Sequence, residues 1–259
     1  MRWIYRVGVI LSCLGLFFFV CKSLFLEKDI SVEGGQHKEE VTSPVSEKKV
    51  EEAKRAEVPQ PKEALPVQAR IAAVPFMVQA PFAEWSDPVF QDACEEASLV
   101  MAEAWVSKKT LTKEEAKERI QALAQYQKKI YGHSVDTSIE DTEKLLQDFL
   151  KVMTSEVKRG VAIQDIKEAL VIEKIVIVPT DGRKLGNPNF KAPGPPRHML
   201  VIIGYDDATK EFIVNDPGTR KGEDYRYDQS ILYDAMLDYP TGKHAEAKSR
   251  DKVMLTVWH

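Results

Sequence analysis

Hydrophobic and polar positions divide the chain into three stretches of different rhythm. From Val7 to Leu26 apolar residues follow one another without a period, and only Lys22 is charged. Across about residues 27–69 the rhythm is polar throughout, rich in Glu, Lys and Pro and without an aromatic side chain. From about residue 70 to His259 apolar positions recur at helical spacing first and in strand-like runs later. That change of period is the first statement about architecture.

Within the third stretch, "IAAVPFMVQ" predicts a short strand or extended lead-in, and the proline-punctuated "APFAEWSDPVF" predicts a loop. Cys94 to about Val106 lacks Gly and Pro and reads as helix, with Asp92 as its N-cap. Cys94, Ala97, Ser98, Met101 and Trp105 fall on one stripe of it. Thr112 and Glu115 have capping-box spacing, so a second helix is expected from there to Gly132. "DTSIEDTEKLLQDFLKVM", capped by Thr137 or Ser138, and "AIQDIKEALVI" predict two more. The period then shortens. "KIVIVPT", "HMLVIIGYD", "KEFIVND" and "DKVMLTVWH" are β-branched, apolar runs bounded by turn residues, and "DDATK" suits a hairpin loop. Helices first and strands later predict an α+β fold, with helices packed on a mainly antiparallel sheet.

The first stretch, about residues 1–26, would span roughly 30 Å as a helix, the depth of a bilayer core. Arg2 and Arg6 favour a cytoplasmic N-terminus, and Trp3 and Tyr5 suit the headgroup zone. A signal-anchor is expected. A cleaved signal peptide is the alternative, but no small-x-small site stands out. Both place the rest of the chain outside the cytoplasm. Residues 27–69 have too little apolar area to offset chain entropy and read as a tether. The domain expected to fold is 70–259, which carries three of the four tryptophans.

Composition narrows the function classes. The chain has 259 residues, of which 44% are hydrophobic and 29% charged, with a formal net charge of -4. No nucleic-acid partner is expected from that balance. No G-x-x-x-x-G-K-[ST] loop is present, so no ATP-binding cassette is expected in this chain. Cys94 is the one cysteine outside residues 1–26, which excludes a disulfide framework in the domain. One cysteine and scattered histidines lack the spacing of a metal site, so no metal or cofactor is expected.

Cys94 opens a predicted helix, and a helix N-terminus favours a thiolate. Glu95 and Glu96 oppose that unless they are turned away or paired. Local sequence leaves two readings open, an inert buried thiol and a nucleophile. A nucleophile needs a base and an orienting group. His198 begins a strand-like run, and Asp216 ends the next. If 199–205 and 211–215 pair as a hairpin, the two lie at the same end of adjacent strands, where the aspartate can set the tautomer of the ring. His133 and His244 read as loop residues. Gln79 closes the lead-in and is a candidate oxyanion donor, with Gln91 as a competitor.

"VPFMVQAP", "DACEEASLVMA", "HMLVIIGYDD" and "FIVNDPGT", in that order, resemble the papain-like cysteine peptidases related to the bacteriocin-processing (double-glycine leader) peptidases. The resemblance covers essentially all of 70–259. It implies a papain-like fold, a bacterial origin and a peptide or protein substrate. It makes Cys94 the counterpart of the nucleophile, His198 of the base, Asp216 of the orienting acid and Gln79 of the oxyanion donor. Two features depart from the family pattern: Glu95 stands where many relatives have Gly, and the Gln79–Cys94 gap is longer. The expected activity is that of a free-standing, membrane-anchored, extracytoplasmic cysteine peptidase. A non-catalytic binding module of the same fold and an acyl transferase using the same residues are the alternatives.

Overall fold

The structure is a computed structural model that describes residues 64–242, 244 and 251–259. The expected anchor at 1–26, and the expected tether up to residue 63, lie outside the described residues. Among the described residues no helix is long and apolar enough to cross a membrane.

The elements run β1 (Gln68–Arg70), α1 (Pro88–Gln91), α2 (Cys94–Val106), α3 (Lys113–Tyr131), α4 (Ile139–Asp148), β2 (Ser155–Arg159), α5 (Ile163–Val171), β3 (Ile175–Thr180), β4 (His198–Asp206), β5 (Glu211–Asn215), β6 (Tyr225–Asp228), α6 (Gln229–Ala235) and β7 (Val253–Val257). The fold is α+β. Seven strands form one sheet in the order β2-β7-β3-β4-β5-β6, with β1 beside β4, and the pairings are antiparallel throughout.

The helices start and stop where their caps dictate. Thr112 caps α3 with the reciprocal Glu115 capping box, and Gly132 ends it. Ser138, rather than Thr137, caps α4 by accepting from the Asp141 N–H. α2 is bounded as its composition predicts, but its N-cap is Ala93, with no side-chain cap bond. Asp92 is unavailable for that role because it closes α1. α1 is itself a departure from the expected loop: Asp87 accepts from the Val89 N–H, and Pro88 suits the first helical position.

The single apolar stripe expected on α2 is also corrected. Every residue from Cys94 to Trp105 is buried, because α2 packs against α3 and α4 as well as β4. Burying each of Leu99, Val100 and Met101 contributes about 1.5–3 kcal/mol. A helix buried on all sides carries no narrow stripe to read.

In the sheet, β3 is buried at every residue and β4 from His198 to Tyr205, as expected of apolar runs covered on both faces. The lead-in 71–79 forms no strand; the pairing strand lies just before it, at β1, which straddles the expected boundary at 69/70. β2 and β6 are short and largely polar, which is why their sequences carry no strand signal. They occupy the two ends of the strand order, where one side needs no apolar partner.

Candidate active site

The ends of three adjacent strands build one wall of the site. β3 pairs with β4 so that Thr180 lies opposite His198, and the Thr180 hydroxyl donates to the His198 carbonyl. β4 pairs with β5 through the tight 207–210 turn, which brings the residue after β5, Asp216, beside His198. The His198 Nε2 and the Asp216 Oδ1 are 2.7 Å apart. The expected juxtaposition is therefore present, with both side chains buried. Asp216 commits Nε2, which leaves Nδ1 of the ring for another partner.

Asp216 is held by more than the ring. Oδ1 also accepts from the Gly218 N–H at 2.9 Å, and Oδ2 accepts from the Tyr227 hydroxyl at 2.6 Å. Asn187 donates in turn to the Tyr227 oxygen at 2.6 Å. Burial alone would push this carboxyl up. The His198 ring and these donors outweigh it and hold Asp216 below the ordinary carboxylate range. Two glycines are required by close approach. A Cβ on Gly222 would lie 1.8 Å from the Asp216 carbonyl oxygen, and one on Gly218 would lie 2.8 Å from the His198 ring. Phe190 packs edge-on against that ring at 5.2 Å between centroids.

The opposite wall is the start of α2. Cys94 is its first residue and is buried, with 6% of its surface exposed. Its Sγ–H donates to Glu95 Oε2 at 3.1 Å, and Glu95 Oε1 accepts from the Tyr239 hydroxyl at 2.7 Å. Glu95 is thus turned toward the thiol, where its charge opposes the thiolate that a helix N-terminus favours. Burial, then the Glu95 carboxylate, push the thiol well above its ordinary value, against a lowering contribution from the Met199 N–H. Glu96 is buried on the other side, where its Oε1 accepts from Gln127 at 2.6 Å. Burial and then Glu95 push Glu96 well up.

Hydrogen bonds to backbone carbonyls stitch the lead-in across the site. Asn215 Nδ2 donates to the carbonyls of Val74 and Pro75, and the Gln79 N–H donates to the Pro217 carbonyl at 2.9 Å. Gln79 is buried at the cavity wall. Its Nε2 donates to the carbonyls of Phe90 and Gln91, at 3.0 and 2.8 Å. Both amide hydrogens are engaged in holding α1. Gln91 lines the same cavity.

These residues meet in a cavity of about 880 Å³ lined by Gln79, Gln91, Cys94 and His198. The irregular run before β4 forms one of its sides from Asn189 to Arg197, as its length suggests. Gly218 to Lys221 form another. A second carboxylate–imidazole pair also lines it: His244 Nδ1 lies 2.9 Å from Asp136 Oδ2, and the His244 N–H donates to the same oxygen at 2.7 Å. His244 is a loop residue, as read from sequence, but a cavity-lining one. Tyr227, Asn187, Tyr239 and Asp136 were invisible to sequence reasoning because nothing in their local spacing marks them. The chemistry available is that of an imidazole with a fixed tautomer, a thiol and donors around one cleft. Among the described residues no cluster of His, Cys, Asp and Glu suits a metal ion.

Residues 71–239 match the Peptidase_C39 like family. Two solved structures are similar to the chain. One is a Bacillus anthracis protein assigned as a C39-like peptidase, at 16% identity over 74% of this chain and 98% of that one, with a TM-score of 0.45. The other is Xylellain, a cysteine protease from Xylella fastidiosa, at 14% identity over 75% of this chain and 87% of that one, with a TM-score of 0.46. No curated protein matches the chain at significant similarity.

Proposed function

This chain belongs to the Peptidase_C39 like family and is a cysteine peptidase, and we propose that Cys94, His198 and Asp216 are its catalytic triad. The observation that carries the assignment is the 2.7 Å His198–Asp216 bond in a cavity that Cys94 also lines. In this reading the substrate carbonyl enters the cleft between the start of α2 and the end of β4. His198 takes the Cys94 proton on the ring nitrogen that Asp216 leaves open. The sulfur attacks the carbonyl carbon and the amine leaves with that proton, giving a thioester. Water, activated by the neutral ring, then releases the acid. Asp216 keeps the ring in one tautomer and stabilises its cation.

The oxyanion would be met by the Cys94 backbone N–H, which at the first helical position has no intrahelical acceptor. Gln79 is the proposed second donor, and for that it must release one of its two carbonyl partners. The test is peptide and protein cleavage profiling with the wild type, Cys94→Ala and His198→Ala. Cleavage is expected to vanish in both variants. Wild-type cleavage that persists in Cys94→Ala would overturn the assignment.

We also propose that residues 1–26 anchor the protein in the membrane with its N-terminus cytoplasmic. Residues 27–69 would tether the peptidase domain, 70–259, outside the cytoplasm. The apolar run from Val7 to Leu26, charged only at Lys22, and the arginines before it support this. Deleting residues 1–26 should move the protein from the membrane fraction to the soluble one. Protease added outside intact cells should reach the full-length domain.

A further inference from the structure

Glu95 is the one charged group described in contact with the thiol, and the triad reading gives it no part. It is buried, with 2% of its surface exposed, between Cys94 on its own helix and Tyr239 from the segment after α6. Each carboxylate oxygen accepts one donor: Oε2 the Cys94 Sγ–H and Oε1 the Tyr239 hydroxyl. The other titratable groups around the pair are Glu96 on α2, Asp92 and Asp136 on the loops beside it, His198 on β4 and His244. Arg197 lies over the Tyr239 ring, 5.6 Å from its centroid.

We propose that Glu95 is a positioning residue that keeps the Cys94 thiol protonated and hydrogen-bonded in the resting enzyme, so that it sets the pH at which the nucleophile forms. A carboxylate one hydrogen bond from a sulfur opposes a negative charge there, and burial leaves little water to screen it. Activation is then a transfer between acceptors. The S–H breaks its bond to Glu95, and the proton passes from sulfur to the open nitrogen of His198. Thiolate and imidazolium replace thiol and imidazole with no change in net charge, and Glu95 stays a carboxylate bonded to Tyr239. The importance of this step for catalysis rests on the triad reading, but the ionisation of Cys94 is measurable without it.

The experiment follows iodoacetamide alkylation of the full-length protein against pH, read at the Cys94 peptide by mass spectrometry, so that Cys13 and Cys21 do not contribute. The wild-type midpoint should lie above about 8.5, the ordinary thiol value. Glu95→Gln keeps an acceptor and removes the charge, and its midpoint should fall by about one to two pH units. Tyr239→Phe takes a donor from the carboxylate, which then bears harder on the thiol, so its midpoint should rise. Glu96→Gln is the comparison one residue on; its carboxylate contacts Gln127, and its shift should be smaller than that of Glu95→Gln. A folded Glu95→Gln with an unchanged midpoint would overturn the proposal. So would an equal shift in Glu96→Gln, or a Tyr239→Phe midpoint that falls or stays put. If Glu95→Gln does not fold, the sign of the Tyr239→Phe shift decides alone. Failure of the triad reading has a different signature, cleavage that persists in Cys94→Ala.

Discussion

Asp216 and Glu95 are both buried carboxylates, one beside the imidazole and one beside the thiol, yet their proton affinities move in opposite directions. Burial pushes both up. Asp216 then receives the His198 ring, the Tyr227 hydroxyl and the Gly218 N–H, which bring it below the ordinary range. Glu95 receives a tyrosine and a thiol, and Asp136 lies close enough to oppose its charge, so it ends above. Being buried says nothing by itself about a carboxylate's charge; the count of donors and the sign of the neighbours decide. One side of the cleft is built to hold a charge, and the other disfavours it.

The sharpest way to break this contrast is Asp216→Asn. The amide matches the shape but cannot stabilise a ring cation, and it can leave the ring in the wrong tautomer. A loss in kcat of roughly 10⁴ is expected, with KM little changed. Steady-state kinetics on a substrate from the cleavage profile would measure it, and a loss under about tenfold would leave Asp216 without the orienting role.

Tyr227→Phe should have the next largest effect. It removes a hydrogen bond to a buried charge and is expected to cost about 1.5–3 kcal/mol at neutral pH, by denaturant unfolding. The sign against pH follows from the depressed folded value of Asp216. Its stabilisation is present above the unfolded value of about 3.9 and is lost as pH falls through the folded one. The gap between wild type and Tyr227→Phe should therefore narrow in acid.

Glu96→Gln tests the other side with a smaller effect. A carboxyl whose folded value is raised leaves stability intact below its unfolded value of about 4.3. Stability then declines as pH rises toward the folded value. The wild-type Tm should fall across that range and the variant's should fall less. The difference near neutrality should be roughly 2–4 °C, the size that about 1 kcal/mol produces in a domain of this length. Calorimetry across pH would show it, and parallel curves would mean that Glu96 carries no such penalty.

Much of the fold was legible because it rests on short-range rules. The capping box at Thr112 and Glu115, the apolar runs at Ile175 and His198, and the turn at 207–210 each act within a few residues. The misses have equally physical causes. β2 and β6 lie at the ends of the strand order, where polar residues are tolerated. α2 is buried all round, so it lacked the one-sided pattern sought in it. Asp92 has the chemistry of a cap but stands one residue before the place where α2 needs one.

The amino-acid sequence alone placed His198 and Asp216 at the same end of a hairpin, because a four-residue turn joins their two strands; the bulge between Ile202 and Gly204, which shifts the register on the way to that end, came only with the tertiary structure. It determined as well that Cys94 opens a helix, through the composition that follows it. Only the tertiary structure decided the electrical character of each side chain. Tyr227 reaches Asp216 from the adjacent strand, Tyr239 reaches Glu95 over a sequence separation of 144, and Glu95 turns toward the thiol instead of away. Those contacts act through distance and burial, and neither quantity is written in the spacing of residues along the chain.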